Sequence, residues 1–207
     1  MASNAQCIDG PAGPLEIDWL EPASPSGEGV AVICHPHPQH GGSMHNKVVH
    51  ILCKACNELG LPALRFNFRD VGASAGEFDD GVGERDDMRA ACDHARRQHP
   101  GVPLWLAGFS FGARVALEGW REAQADYLIS VAPPVSLYDM RGIDGITIPW
   151  LLVQGGKDEI VDPEAVREWA ASRRPAPAVR WLDEAGHFFH GQLNALRQAV
   201  VEWGAAQ

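Results

Sequence analysis

Hydrophobic and polar positions along this chain alternate between two periods. Residues 30–34 form an unbroken apolar run, Val-Ala-Val-Ile-Cys, as in a strand covered on both faces. Residues 15–20 instead alternate apolar with acidic side chains and read as a strand with one wet face. The turn at 10–13 before it closes a hairpin with residues 6–8, and a Pro-, Ser- and Gly-rich loop follows at 21–29. Further strands are predicted over 62–68, 102–107, 127–132, 146–153 and 178–182. Helical spacing predicts helices over 45–59, 84–98, 111–123, 163–172 and 191–203, the first stopped by Gly60. A glycine-rich loop occupies 70–83.

Strands alternate with helices, so the expected fold class is α/β: a mostly parallel sheet with helices on both faces. The length of 207 residues suits one domain, 1–207, with a sizeable core. Residues 133–145 connect two strands and are too few to build a helical lid.

The most specific stretch is Gly108-Phe109-Ser110-Phe111-Gly112, placed between an apolar strand and a helix-forming run. This G-x-S-x-G arrangement in strand–turn–helix context is a nucleophile elbow, which lifts the serine hydroxyl clear of the sheet. A serine hydroxyl needs a neutral imidazole to take its proton, and that imidazole needs a carboxylate to fix its tautomer. In an elbow fold the carboxylate and then the histidine follow the serine, on loops leaving the carboxyl ends of later strands. Asp158 and His187 occupy such positions. Rivals are Glu159, Asp162 and His190, with Asp162 before Pro163 reading as a helix N-cap.

An oxyanion forming on a carbonyl needs two backbone N–H donors, one from the residue after the nucleophile, Phe111, and one from the loop after an early strand. In that loop, His35-Pro36-His37-Pro38, only His37 of the three residues 36–38 has an N–H to give. The competing reading of His35, His37, His40 and His45 is a metal site. Gln39 stands where zinc would favour a carboxylate, and the prolines restrict ligand geometry, so no metal is expected. Cys53 and Cys56 match C-x-x-C but lie within a helical pattern, where they read as small buried hydrophobes.

The net charge of −10, without a basic stripe, disfavours nucleic acid as a partner. No apolar run approaches the ~20 residues of a membrane span, so no membrane association is expected. The small polar residues 1–7 carry no export pattern. Five cysteines, at 7, 34, 53, 56 and 92, then read as free thiols in a reducing, cytoplasmic compartment.

With those residues in hand, the chain resembles the α/β-hydrolase superfamily over nearly its whole length. More narrowly, it is similar to small lidless bacterial serine hydrolases with an H-P-H-P loop, relatives of carboxylesterases and dienelactone hydrolases. Five ordered blocks carry the resemblance: residues 34–48, residues 65–78, G-F-S-F-G, G-G-K-D-E-I-V at 155–161 and G-H-F-F at 186–189. The resemblance implies an α/β-hydrolase fold with Ser110, Asp158 and His187 as a triad, and N–H groups of His37 and Phe111 as the oxyanion hole. Dienelactone hydrolases carry a cysteine and haloalkane dehalogenases an aspartate where this chain has Ser110.

The resulting expectation is an esterase acting on a small-molecule carboxylic ester, without cofactor, with hydrolysis rising through the ~6.5 titration of free histidine. Met44, Phe109, Phe188 and Phe189, with Phe111, are candidates to line an apolar acyl pocket. An open site favours short acyl chains. A peptidase or acyltransferase on the same triad, and a non-catalytic binding protein on the same fold, are the alternatives. Arg65, Asn67 and Arg69 read as scaffold that satisfies the backbone of the 70–78 loop.

Overall fold

The computed structural model describes residues 6–207. Its strands are β1 (Gln6–Gly10), β2 (Gly13–Leu20), β3 (Val30–Cys34), β4 (Ala63–Phe66), β5 (Leu104–Phe109), β6 (Tyr127–Val131), β7 (Trp150–Gly155) and β8 (Ala178–Leu182). Helices are α1 (Lys47–Glu58), α2 (Val82–Gln98), α3 (Phe111–Gly119), α4 (Pro163–Ser172) and α5 (Leu193–Gly204). All eight strands belong to one sheet in the order β1-β2-β4-β3-β5-β6-β7-β8. β2 runs antiparallel to β1 and to β4, while every pair from β4 to β8 is parallel.

The central strands are apolar on both sides because each side meets helices. Along β5, Leu104 and Leu106 enter one core with α2, α3 and α4. Trp105, Ala107 and Phe109 enter the other with α1 and α5. The same two-residue alternation runs through β3, with Val30, Val32 and Cys34 on the first side and Ala31 and Ile33 on the second. Burying one such side chain fully is worth roughly 1.5–3 kcal/mol, so the two layers hold the sheet flat against its helices.

The element order matches the sequence reading, and several boundaries move for local reasons. α1 begins at Lys47 rather than 45, because Asn46 caps it: Oδ1 accepts from Val48 N at 2.8 Å. α2 begins at Val82 rather than 84, because the Glu84 carboxylate reaches back to accept from Gly81 N at 2.7 Å. β7 begins at Trp150 rather than 146. Ile146 and Ile148 mimic a strand in sequence, but Pro149 has no N–H for a ladder. The β6–β7 connection is therefore longer than the sequence reading gave, and it still contains no helix.

Candidate functional site

β3, β5, β6 and β7 are parallel neighbours, so the loops leaving their carboxyl ends gather at one place. β5 stops at Phe109 and α3 starts at Phe111, leaving Ser110 alone between them at φ 54°, ψ −119°. A positive φ on a non-glycine residue is strained by about 1–3 kcal/mol and persists where the surroundings fix it. Here Ser110 N donates to Val131 O at 2.9 Å, and Ser110 O accepts from Ala113 N at 2.9 Å and Arg114 N at 3.1 Å. The flanking glycines are required by space. A Cβ on Gly108 would lie 2.2 Å from Gly112 O, and one on Gly112 would lie 2.4 Å from Cys34 O.

The structure brings Ser110, His187 and Asp158 together in one hydrogen-bonded line. His187 Nε2 is 3.1 Å from Ser110 Oγ, and His187 Nδ1 is 2.9 Å from Asp158 Oδ2. The carboxylate accepts at Nδ1, so that nitrogen carries the ring proton and Nε2 is left to accept from the hydroxyl. Asp158 Oδ1 accepts from Ile160 N at 2.9 Å and Val161 N at 2.8 Å. Gln154 Nε2 adds a donor to Oδ2 at 2.9 Å. Burial alone would raise the Asp158 carboxyl, but the hydrogen bonds from His187 and Val161 outweigh it and hold the group below the usual carboxylate range.

The rivals take other roles. Glu159 accepts from the backbone N–H of His187 at 3.1 Å, which fixes the loop. Asp162 caps α4, accepting from Glu164 N at 3.0 Å. His190 is exposed. Gln154 and Glu159 were both missed as positioning groups. The signal for Gln154 was a lone polar residue closing the apolar run of β7 four residues before Asp158.

His37 and Phe111 both line the cleft beside Ser110. His37 has φ −50° and ψ 119° and heads a single 3-10 turn, Pro38–His40, its Nδ1 accepting from Gln39 N at 3.2 Å. Neither the N–H of His37 nor that of Phe111 donates to a backbone or side-chain acceptor among the described residues. The rings of the two residues pack with centroids 5.0 Å apart. His35 behind them is fully buried, with Nδ1 donating to Pro36 O at 2.6 Å and Nε2 accepting from Phe68 N at 3.0 Å. Both ring nitrogens are thereby spent on backbone, which ties the β3 loop to the end of β4.

A cleft of about 470 Å³ opens over Ser110 and His187. Of the five residues expected to line it, Phe111 and Phe188 do, and Met44, Phe109 and Phe189 do not. Met44 is buried under the loop, its N held by Asn67 Oδ1 at 2.8 Å and its O by Arg65 Nη1 at 3.1 Å. Phe109 is buried behind the imidazole, ring centroids 5.1 Å apart. Phe189 points into the α1/α5 core. The apolar walls come from Pro134, Leu137, Tyr138 and Ile160, of which only Ile160 falls within a block that carries the resemblance.

Arg65, Asn67 and Arg69 make scaffold contacts, of which only the Asn67 carbonyl, accepting from Ser74 Oγ at 2.6 Å, reaches the 70–78 loop. Arg65 pairs with Asp18 and Arg69 with Asp87, while Asn67 Nδ2 donates to Glu16 Oε2 at 2.7 Å. Cys34, Cys53, Cys56 and Cys92 are buried free thiols pushed to higher pKa by that burial, and Cys7 is exposed. Among the described residues no helix is long and apolar enough to cross a membrane.

Known proteins share this fold. Residues 31–199 match the family described as the alpha/beta hydrolase domain. A Rickettsia prowazekii protein, "Uncharacterized protein RP471", is 37% identical, with 95% of this chain and 86% of that protein covered. The crystal structure of XC6422 from Xanthomonas campestris, described as an α/β serine hydrolase without lid, superposes with a TM-score of 0.93 at 43% identity over 98% of this chain and 93% of that one. An α/β serine hydrolase homologue from Coxiella burnetii gives 0.91 at 41% identity over 98% and 97%. The strand–elbow–helix at Ser110, the lidless β6–β7 connection and these similarities agree: the chain belongs to the alpha/beta hydrolase family.

Proposed function

We propose that the protein is a serine hydrolase that cleaves carboxylic esters of small molecules through an acyl-enzyme. The observation that carries this reading is the contact of His187 Nε2 with Ser110 Oγ at 3.1 Å, with Nδ1 anchored on an ionised Asp158. Ser110 Oγ attacks the ester carbonyl carbon, and its proton passes to His187 Nε2. Negative charge gathers on the carbonyl oxygen, where the N–H groups of His37 and Phe111 stabilise it. The C–O bond then breaks, and the proton on Nε2 goes to the departing alkoxide. Water attacks the acyl-enzyme, gives its proton to Nε2, and the acid leaves as that proton returns to Ser110 Oγ. Asp158 stays charged throughout and stabilises the imidazolium.

The open cleft admits soluble esters without any lid movement, and the chemistry uses only side chains and backbone of this chain. A panel of small esters and thioesters tests the reading, with Ser110→Ala as control. Turnover lost nearly completely in that variant, and labelling of Ser110 by a fluorophosphonate probe, are the expected results. Undiminished hydrolysis by Ser110→Ala overturns it. Product formation that rises on adding an amine or alcohol acceptor would instead favour acyl transfer.

A further inference from the structure

The surface around the cleft is unusual in what it shows to water. Four large apolar side chains are exposed on the described surface: Val82, Leu137, Ile160 and Phe188, at 58%, 55%, 43% and 37%. Three of the four, Leu137, Ile160 and Phe188, line the Ser110 cleft. Scattered exposed apolar residues need no explanation, but a group gathered at one opening marks a binding surface. The walls below are also apolar, with Pro36, Phe111, Pro134 and Tyr138 among them.

The charge pattern points the same way. No Asp, Glu, Lys or Arg lines the cleft, although the chain carries 44 such residues, 17 basic and 27 acidic. Arg114 comes near, with its guanidinium 4.2 Å from the Tyr138 ring. It is already committed to Glu118 at 2.9 Å and Asp80 at 3.3 Å. A charged substrate group drawn into the cleft would lose hydration and meet the imidazoles of His37 and His40 and the Asn46 amide, with no permanent counter-charge.

We propose that the substrate is an uncharged ester carrying an apolar chain long enough to reach from Ser110 to Leu137, Ile160 and Phe188. This rests on the ester-hydrolase reading and narrows it. An open site by itself would favour acetate-sized groups. The apolar rim reverses that preference, because each added methylene covers side chains that otherwise face water. Gain stops once the chain passes the rim into solvent.

The test measures kcat/KM for p-nitrophenyl acetate, butyrate, hexanoate and octanoate below their aggregation limits, and for a matching series of alkyl acetates. In at least one series kcat/KM rises about three- to fourfold for each methylene, the factor expected from burying one such group, and then levels off. The p-nitrophenyl hemisuccinate is cleaved at least tenfold more slowly than the butyrate. Leu137→Ser and Phe188→Ser lower the value for the longest chain by more than the value for acetate, flattening the slope. Rates of Ser110 labelling by methyl and octyl fluorophosphonates follow the same order and read the cleft without ester turnover. Flat or falling series with acetate still cleaved through Ser110, or a hemisuccinate as good as butyrate, overturn this inference and leave the ester-hydrolase reading standing. No ester turnover, with octyl and methyl probes labelling equally, overturns both. Unchanged slopes in the serine variants, with a change in sedimentation instead, assign the rim to a second copy of the chain.

Discussion

Gln154 donates its side-chain amide to Asp158 Oδ2 at 2.9 Å, the same oxygen that receives His187 Nδ1. Its own Oε1 is buried and accepts from no protein donor. A polar group left so costs about 1–3 kcal/mol. The amide therefore weakens the fold to set the direction of the carboxylate. In Gln154→Met both the donor and the orphan acceptor disappear. Thermal stability should hold or rise, while kcat falls. An unchanged kcat would assign Gln154 to packing alone.

The backbone of His37 offers a direct test of the oxyanion site. Its φ of −50° lies within the range proline adopts, and its N–H serves no protein acceptor among the described residues. His37→Pro should fold and lose roughly 10²–10³ in kcat, the cost of one such donor. His37→Ala keeps the N–H and should lose far less. Equal losses in the two variants would place the effect in the imidazole ring.

Two glycines separate geometry from composition. A Cβ on Gly112 would meet Cys34 O at 2.4 Å and His35 O at 2.5 Å, both backbone atoms that cannot turn aside. Gly142 has nothing within 4 Å of its Cβ position. Urea denaturation of Gly112→Ala should show a loss of about 3 kcal/mol or more, or no folded protein. Gly142→Ala should stay within about 0.5 kcal/mol of the parent.

His35 makes the fold acid-sensitive. Burial pushes it down from 6.5 to about 4, against the hydrogen bond to Pro36 O that favours its charged form. The unfolded chain binds a proton below about 6.5 and the folded chain does not until about 4, so stability is full above 6.5 and falls as pH drops through this window. The loss approaches about 3 kcal/mol. Urea midpoints between pH 7.5 and 4.5 measure it, and His35→Gln should flatten the slope over that range. The depressed Asp158 carboxyl adds to the acid loss at lower pH, since a group held ionised in the fold loses that contribution when protonated.

The hydrogen-bonded line of Ser110, His187 and Asp158 was legible because each member follows a short strand. A strand end is a local pattern, and a parallel sheet collects such ends. The cleft was not legible in the same way. Phe109 and Phe189 neighbour the key residues in sequence, yet the two-residue alternation of β5 sends Phe109 into the α1/α5 core, and φ 53° turns Phe189 inward. Leu137 and Tyr138 lie in a connection without periodicity, held by hydrogen bonds from their N–H groups to Pro134 O. Their place at the cleft depends on packing that no local pattern encodes. The early start read for β7 has the same origin: alternating Ile146 and Ile148 outweighed the proline that ends the ladder.

One wall of the cleft is the irregular β6–β7 connection, which makes no sheet ladder and carries Pro134, Leu137 and Tyr138 to the opening. Extra residues inserted there would project over Ser110 without cutting a strand or a helix. A roof above the reaction centre is thus one surface insertion away, and enclosure can be gained or shed while the sheet beneath goes on folding as before.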